Sequence, residues 1–166
     1  MEPGRIYIAS TLGNAERVRA LTVALRSAGA ERGLNIQVTY DWTSHSALPE
    51  AGGMVYIPDD QPALKRAVAI RELVGVLGCD VLLVVMPGER GTHFEFGVAF
   101  AVQKPIVLLL DRHDGKSPSF HFLDSVVRVH TEAEAFTAIF DLLARPPSSA
   151  EHPMSRWGAG EEVHHS

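Results

Sequence analysis

Residues 80–86 of this 166-residue chain read DVLLVVM. The run is too short for a buried helix, and its valines are stiff at χ1, so it predicts a strand covered on both faces. A strand of that kind belongs in a parallel sheet with helices above and below it, which constrains the fold more than any other feature of the sequence. Residues 87–91, PGERG, then break the run with a proline, two glycines and opposite charges. From Thr92 an apolar pattern with helical spacing begins, Phe94, Val98 and Ala101, and predicts a helix with Thr92 at its N-cap. In open α/β sheets, ligands bind in the crevice outside the carboxyl ends of the strands. Glu95, in the expected first turn of that helix, lies beside this crevice.

The flanking sequence repeats the alternation. Residues 6–9 form a short apolar strand, and Ser10, Thr11, Leu12, Gly13 and Asn14 a hydroxyl-rich turn. A helix is expected over 15–30, with Val18, Leu21 and Leu25 inward, arginines outward and Gly29 near its end. A second strand follows at 34–40. Residues 41–60 are a long irregular segment with Pro49, Gly52, Gly53 and Pro58, in which 54–57 is either a minor strand or loop; a loop this long is usually functional or disordered. Pro62 suits a helix start, and Leu64, Val68, Leu73 and Leu77 set the expected inner face to about residue 77. After the 80–97 stretch, Lys104 and Pro105 end a helix. Residues 106–110 form a buried strand, 111–119 a polar loop and 125–129 a last short strand. Thr131 and Glu134 bracket a capping box for a final amphipathic helix to about Ala144. Five strands alternating with helices predict a flavodoxin-like, doubly wound parallel sheet of order 2-1-3-4-5, with helices on both faces. The expected domain is 1–144, and 145–166, rich in Pro, Gly, Ser and Glu, is expected to be a flexible tail. In that order the crevice opens between the first and third strands, which brings Ser10 and Thr11 to the loop at Glu89.

Composition narrows the function. Net charge is −5 with no Lys/Arg cluster, which disfavours a nucleic-acid polymer as partner. The single cysteine, Cys79, excludes an internal disulfide and a multi-cysteine metal site, and is read as a small buried apolar residue. The start shows no signal peptide and no apolar run is long enough to span a membrane, so a cytoplasmic protein is expected. Three of the eight histidines, His152, His164 and His165, fall in the tail; His45, His93, His113, His121 and His130 share no metal-ligand spacing. Neither common phosphate-cradling glycine motif is present, and no nucleophile elbow supports a Ser-His-Asp triad.

Glu95 has two readings. Thr92, His93, Phe94 and Glu95 fit a capping box in which Glu95 reaches back to the N-cap backbone. Alternatively, a carboxylate held ionised by backbone donors is a nucleophile able to attack an anomeric carbon. Tyr7 reads as core, Glu72 as a solvated residue on the exposed side of its helix, and Asp80 as fixing the start of its strand. Trp42, after Tyr40 and Asp41 at the end of the second strand, is either an aromatic platform or a plain surface residue.

Asp80 to Gly97, with Gly91-Thr92-His93-Phe94-Glu95-Phe96-Gly97 at its core, resembles the signature of the nucleoside 2-deoxyribosyltransferase family and its nucleotide N-glycosidase relatives. The likeness extends more weakly over about residues 5–144. It implies that Glu95 is the nucleophile, that Tyr7 supports it by a hydrogen bond, and that Glu72 stands where the family has Asp or Asn near base and sugar. It places Asp41 and Trp42 near the base, and Ser10, Thr11, Gly88, Glu89, Arg90, Gly91 and Thr92 around the substrate. Gly115 to Ser119 resembles a segment that reaches into a neighbouring subunit's site, which implies a homodimer or larger homo-oligomer with Ser119 contributed across the interface. The expected function is cleavage or transfer at the N-glycosidic bond of a nucleoside or nucleotide, with no cofactor and Glu72 delivering a proton to the leaving base. Free nucleosides are expected over 5′-monophosphates, because Glu89 stands where transferases for free nucleosides carry Asp and monophosphate-cleaving relatives carry Ser. Against this, Arg90, if turned inward, and the anion-suited turn at Ser10 and Thr11 favour phosphate. Two rival readings stay open: a non-catalytic nucleotide-binding module on the same fold, and a TIR-like NAD hydrolase, which also uses a Glu.

Overall fold

The computed structural model describes residues 2–44, 56–110 and 119–145. Five strands, β1 Gly4–Ala9, β2 Ile36–Val38, β3 Val81–Val85, β4 Ile106–Leu109 and β5 Val126–Val129, form one sheet of order β2-β1-β3-β4-β5. Every pairing is parallel. Helices α1 Ala15–Glu31 and α4 Glu132–Leu143 pack together on one face, and α2 Pro62–Gly78 and α3 Arg90–Ala101 on the other. The doubly wound α/β architecture and strand order are those expected from the alternation of the sequence. All five residues of β3 are buried, as its unbroken apolar run requires.

β3 begins where Asp80 pairs with Arg5: the carboxylate accepts from the Arg5 backbone N–H at 2.9 Å and from its guanidinium at 2.6 Å. Asp80 therefore clamps the starts of the two central strands. Cys79, next to it, is buried. Thr131 and Glu134 form the expected capping box at the start of α4.

Three expectations about the elements need correcting. β2 is shorter than residues 34–40, because it is an edge strand that pairs with β1 alone. In α2, Leu77 is 47% exposed, and Val68, Gly75 and Val76 are the buried positions. Gly75 belongs inside because the helix lies so close to the sheet: a Cβ there would stand 2.8 Å from the Tyr7 ring. In α3, Thr92, Phe96 and Ala99 face inward, while Phe94 is 62% exposed. The apolar residues of α3 cover more than one face, so spacing alone did not single out the buried one. Residues 45–55, 111–118 and 146–166 lie outside the described residues, and with them half of the 54–57 segment, the 111–119 loop up to Ser119, five histidines and the tail beyond Arg145.

Candidate active site

A cavity of about 350 Å³ opens at the carboxyl ends of β1 and β3, where the strand order reverses. Its walls come from the turn after β1 (Ser10, Thr11, Leu12), from Trp42, from Tyr56 and Ile57, from one face of α2, and from Glu89, Gly91, Thr92 and Glu95. A second, larger hollow of about 540 Å³ lies between α3 and the 3-10 turn Ser119–Phe122. Among the described residues, phenylalanines and two histidines line it and no carboxylate does, whereas three carboxylates, Glu72, Glu89 and Glu95, line the smaller cavity.

The loop between β3 and α3 is pinned from α1. Asn14 Nδ2 donates to Pro87 O at 3.3 Å and Arg17 to Met86 O at 3.1 Å. Ser10 Oγ donates to Val85 O at 2.8 Å and accepts from Asn14 at 2.9 Å. Ser10 is thereby committed to holding the loop as well as lining the cavity. The Met86–Pro87 peptide is cis.

α3 starts earlier than its apolar pattern suggests. Glu89, not Thr92, is the N-cap; Thr92 is the third helical residue, and its Oγ1 accepts the Glu89 N–H at 3.3 Å. Glu95 therefore lies in the second turn and makes no capping box, and the structural reading of this residue falls. Its partner is Tyr7, whose hydroxyl donates to Glu95 Oε1 at 2.5 Å. Tyr7 is wholly buried in β1, and burial together with the facing Glu95 and Glu72 holds its phenol well above the ordinary value, so it remains a donor.

The charge on Glu95 also differs from expectation. Among the described residues no backbone donor holds it ionised. Burial pushes its carboxyl up to about 8, the Tyr7 hydrogen bond pulls it down, and the Glu72 charge raises it. Glu72 is not on a solvated face: it is half-buried, lines the same cavity, and burial raises its carboxyl too. Two carboxyl groups thus face one cavity with their affinity for protons increased, a common condition for acid-base work.

The remaining expected residues divide. Ser10, Thr11, Trp42, Glu89, Gly91 and Thr92 line the cavity. Trp42 is no surface residue: it is 5% exposed, and its Nε1 donates to Ile8 O at 2.7 Å, which fixes the indole as a wall. Asp41 is turned to its own loop, accepting from Thr43 and Ser44, and is not among the lining residues. Gly88 and Arg90 do not line the cavity either, and Arg90 is exposed. Ser119 is exposed at the start of its 3-10 turn, away from the cavity of its own chain. Sequence reasoning missed Leu12, Tyr56, Ile57, Lys65, Val68 and Ala69 as lining residues. The signal for three of them was present: Lys65, Val68 and Ala69 precede Glu72 by seven, four and three residues and share its helix face. Among the described residues no cluster of His, Cys, Asp and Glu has the arrangement to hold a metal, and no helix is long and apolar enough to cross a membrane.

No protein-family model matches the chain, and no curated protein matches it. Solved structures do. A CMP N-glycosidase from Clostridium botulinum, BcmB, is 20% identical over 84% of this chain and 98% of its own, with a TM-score of 0.49. BlsM, solved in solution, is 20% identical over 89% of this chain and 98% of its own, with a TM-score of 0.50. A conserved protein from Enterococcus faecalis is 16% identical over 84% of this chain and 99% of its own, with a TM-score of 0.51. At these identities the likeness speaks to architecture: this chain shares the α/β fold of BlsM and of the Enterococcus faecalis protein over most of its length.

Proposed function

We propose that the cavity cleaves the N-glycosidic bond of a nucleoside or nucleotide, passing the sugar to water or to a second base. The observation that carries this reading is the Glu95 carboxyl at the cavity wall, backed by the buried Tyr7 hydroxyl at 2.5 Å, with Glu72 lining the same space. Ionised Glu95 attacks C1′ while the base departs with the bonding electron pair. The base takes a proton from Glu72, and a glycosyl ester on Glu95 remains. A second base or a water molecule, deprotonated as it attacks, then displaces Glu95 and restores the carboxylate. The sequence is the retaining two-step scheme of glycosidases with nitrogen as leaving atom. Positive charge growing at C1′ favours the ionised form of Glu95, and the Tyr7 hydroxyl orients it. Every step uses side chains of the chain alone, so no cofactor is required.

The sugar end favours a free 5′-hydroxyl. Glu89 lines the cavity and Arg90 does not, so the near charge is negative and a dianionic phosphate would meet repulsion there. Ser119 is proposed to serve the site of a neighbouring subunit, since it stands exposed and away from its own cavity.

A panel of deoxynucleosides, their 5′-monophosphates and NAD, scored by released base, tests the reading. We expect base release from deoxynucleosides, abolished in Glu95→Gln, where an amide cannot attack C1′. Full activity in Glu95→Gln, or release from NAD alone, would overturn it. Glu89→Ser keeps a good N-cap for α3 and is expected to shift the ratio of kcat/KM towards monophosphates by about tenfold or more, the effect of removing one close charge. An unchanged ratio would show that Glu89 does not set the preference.

A further inference from the structure

Helix α2 turns one stripe of residues into the cavity: Lys65, Val68, Ala69 and Glu72 all line it. At 1.5 Å per residue, Lys65 lies roughly 10 Å along the helix axis from Glu72. α2 leads into β3 and packs against α3 and β1, so its first turns stand at the carboxyl edge of the sheet, where the cavity opens. Lys65 is accordingly at the mouth, its side chain 41% exposed, and Glu72 is deeper. Between them the wall is apolar: Val68, Ala69, Ile57 and the fixed indole of Trp42. The other wall is polar, with Ser10, Thr11, Glu89 and Thr92. A nucleoside has the same two halves, a flat heteroaromatic base and a hydroxyl-bearing sugar. A nucleoside seated with C1′ at Glu95 and its sugar on the polar wall would lay its base along α2 and Trp42, with the far edge towards Lys65. Lys65 is the single cation among the described lining residues, beside three carboxylates. Asp59 pairs with its ammonium, which also stands 5.9 Å from the centre of the Tyr56 ring, so the charge is held at the mouth.

We infer that Lys65 selects the base, by donating a hydrogen bond to a carbonyl oxygen on the edge remote from the glycosidic bond. An ammonium carries three donors and no acceptor. It meets a carbonyl favourably and an exocyclic amino group as donor against donor. The preferred substrates are therefore nucleosides of keto bases, of the uracil, thymine or hypoxanthine kind, over amino bases such as cytosine and adenine. The same contact assists bond breaking. As the C1′–N bond breaks and C1′ bonds to Glu95, the electron pair stays on the base and delocalises onto the carbonyl oxygen beside Lys65. The base then takes its proton from Glu72 or from water. The inference rests on the N-glycosidic reading given above and adds the class of base to it.

The test measures base release by the full-length protein from two matched pairs, deoxyuridine with deoxycytidine and deoxyinosine with deoxyadenosine. Wild type, Lys65→Met and Lys65→Arg are compared, with Glu95→Gln as blank. Wild type should prefer the keto member of each pair. Lys65→Met should lower kcat/KM for the keto members relative to the amino members by about 10- to 100-fold, the size of one hydrogen bond to a charged group. Lys65→Arg should retain the preference. An exposed pair such as Lys65–Asp59 adds little to stability, so an unchanged Tm certifies the fold of the variants. A keto-to-amino ratio unchanged in Lys65→Met, or a wild type that prefers amino bases, would overturn the inference while leaving the N-glycosidic reading intact. No release above the Glu95→Gln blank from any of the four, or from their 5′-monophosphates, would overturn that reading, and this inference with it.

Discussion

At the scale of the residue, the chemistry depends on where one proton resides. With its carboxyl near 8, Glu95 is mostly protonated at neutral pH before substrate binds. The kcat/KM of wild type should therefore rise with pH through about 8 and then level or fall; a flat profile between pH 6 and 9 would contradict this. The same displacement acts on stability. A carboxyl raised in the folded state holds a proton there that the unfolded chain has already lost above its ordinary value, 4.5. Its contribution is fully present below about 4.5, declines as pH rises, and is gone above about 8. Glu95→Gln, which cannot ionise, should match wild type in stability near pH 4.5 and exceed it by pH 9, by up to about 5 kcal/mol. Melting curves at the two pH values decide it, and a gap that does not widen would refute the burial argument. None of this was legible in the spacing of the sequence. Spacing alone favours a capping box for Glu95, and its hydroxyl partner comes from a strand whose own sequence, Ile6-Tyr7-Ile8-Ala9, reads only as core. Likeness to a family motif pointed to the pair; the fold brings it to hydrogen-bond distance.

At the scale of the element, α2 decides the shape of the site more than its sequence suggests. Its leucines advertised an inner face, yet the position that touches the sheet is Gly75, which has no side chain for a hydrophobic pattern to register. Helix propensity alone says that Gly75→Ala should stabilise α2 by up to about 1 kcal/mol. Packing says the reverse, since the new methyl would stand 2.8 Å from two carbons of the Tyr7 ring and 3.0 Å from Tyr40 Cβ. Overpacking of that kind costs about 1–3 kcal/mol, so a net loss of stability is expected, with a fall in kcat as the Tyr7 ring is pushed off Glu95. Differential scanning calorimetry and steady-state rates on the one variant check both halves; an Ala variant at least as stable and as active as wild type would show that the close approach is slack. The strands were easier to read from sequence than this, because a stretch buried on both faces announces itself by being apolar throughout. Helix boundaries were harder. The true start of α3 is an acidic N-cap with threonine at the third helical position, the mirror image of the Thr-to-Glu pattern that drew attention one turn later.

At the scale of the whole molecule, the parallel sheet and its order follow from alternation alone. What alternation does not give is what surrounds a single chain. Phe120 and Phe122 stand largely exposed on the 3-10 turn beside α3, and a homodimer or larger homo-oligomer is proposed to cover this side. Sedimentation of the full chain and of a chain ending at Ala144 tests this together with the proposed 1–144 domain. The shorter chain keeps all five strands and four helices, so both should melt within a few degrees of each other and sediment as oligomers; an active monomer, or a steep drop in Tm on shortening, would contradict the respective half. The Tyr7–Glu95 contact has one more consequence, in time. Its partners are separated by 88 positions along the chain, and β1 reaches β3 only after β2, α1 and α2 have been laid out between them. Contacts of such long range form slowly, because a large loop must close before they return anything. Catalysis cannot precede that closure, so regain of activity on dilution from denaturant clocks the docking of the first strand onto the third, an event that helix signals in far-ultraviolet dichroism would pass without notice.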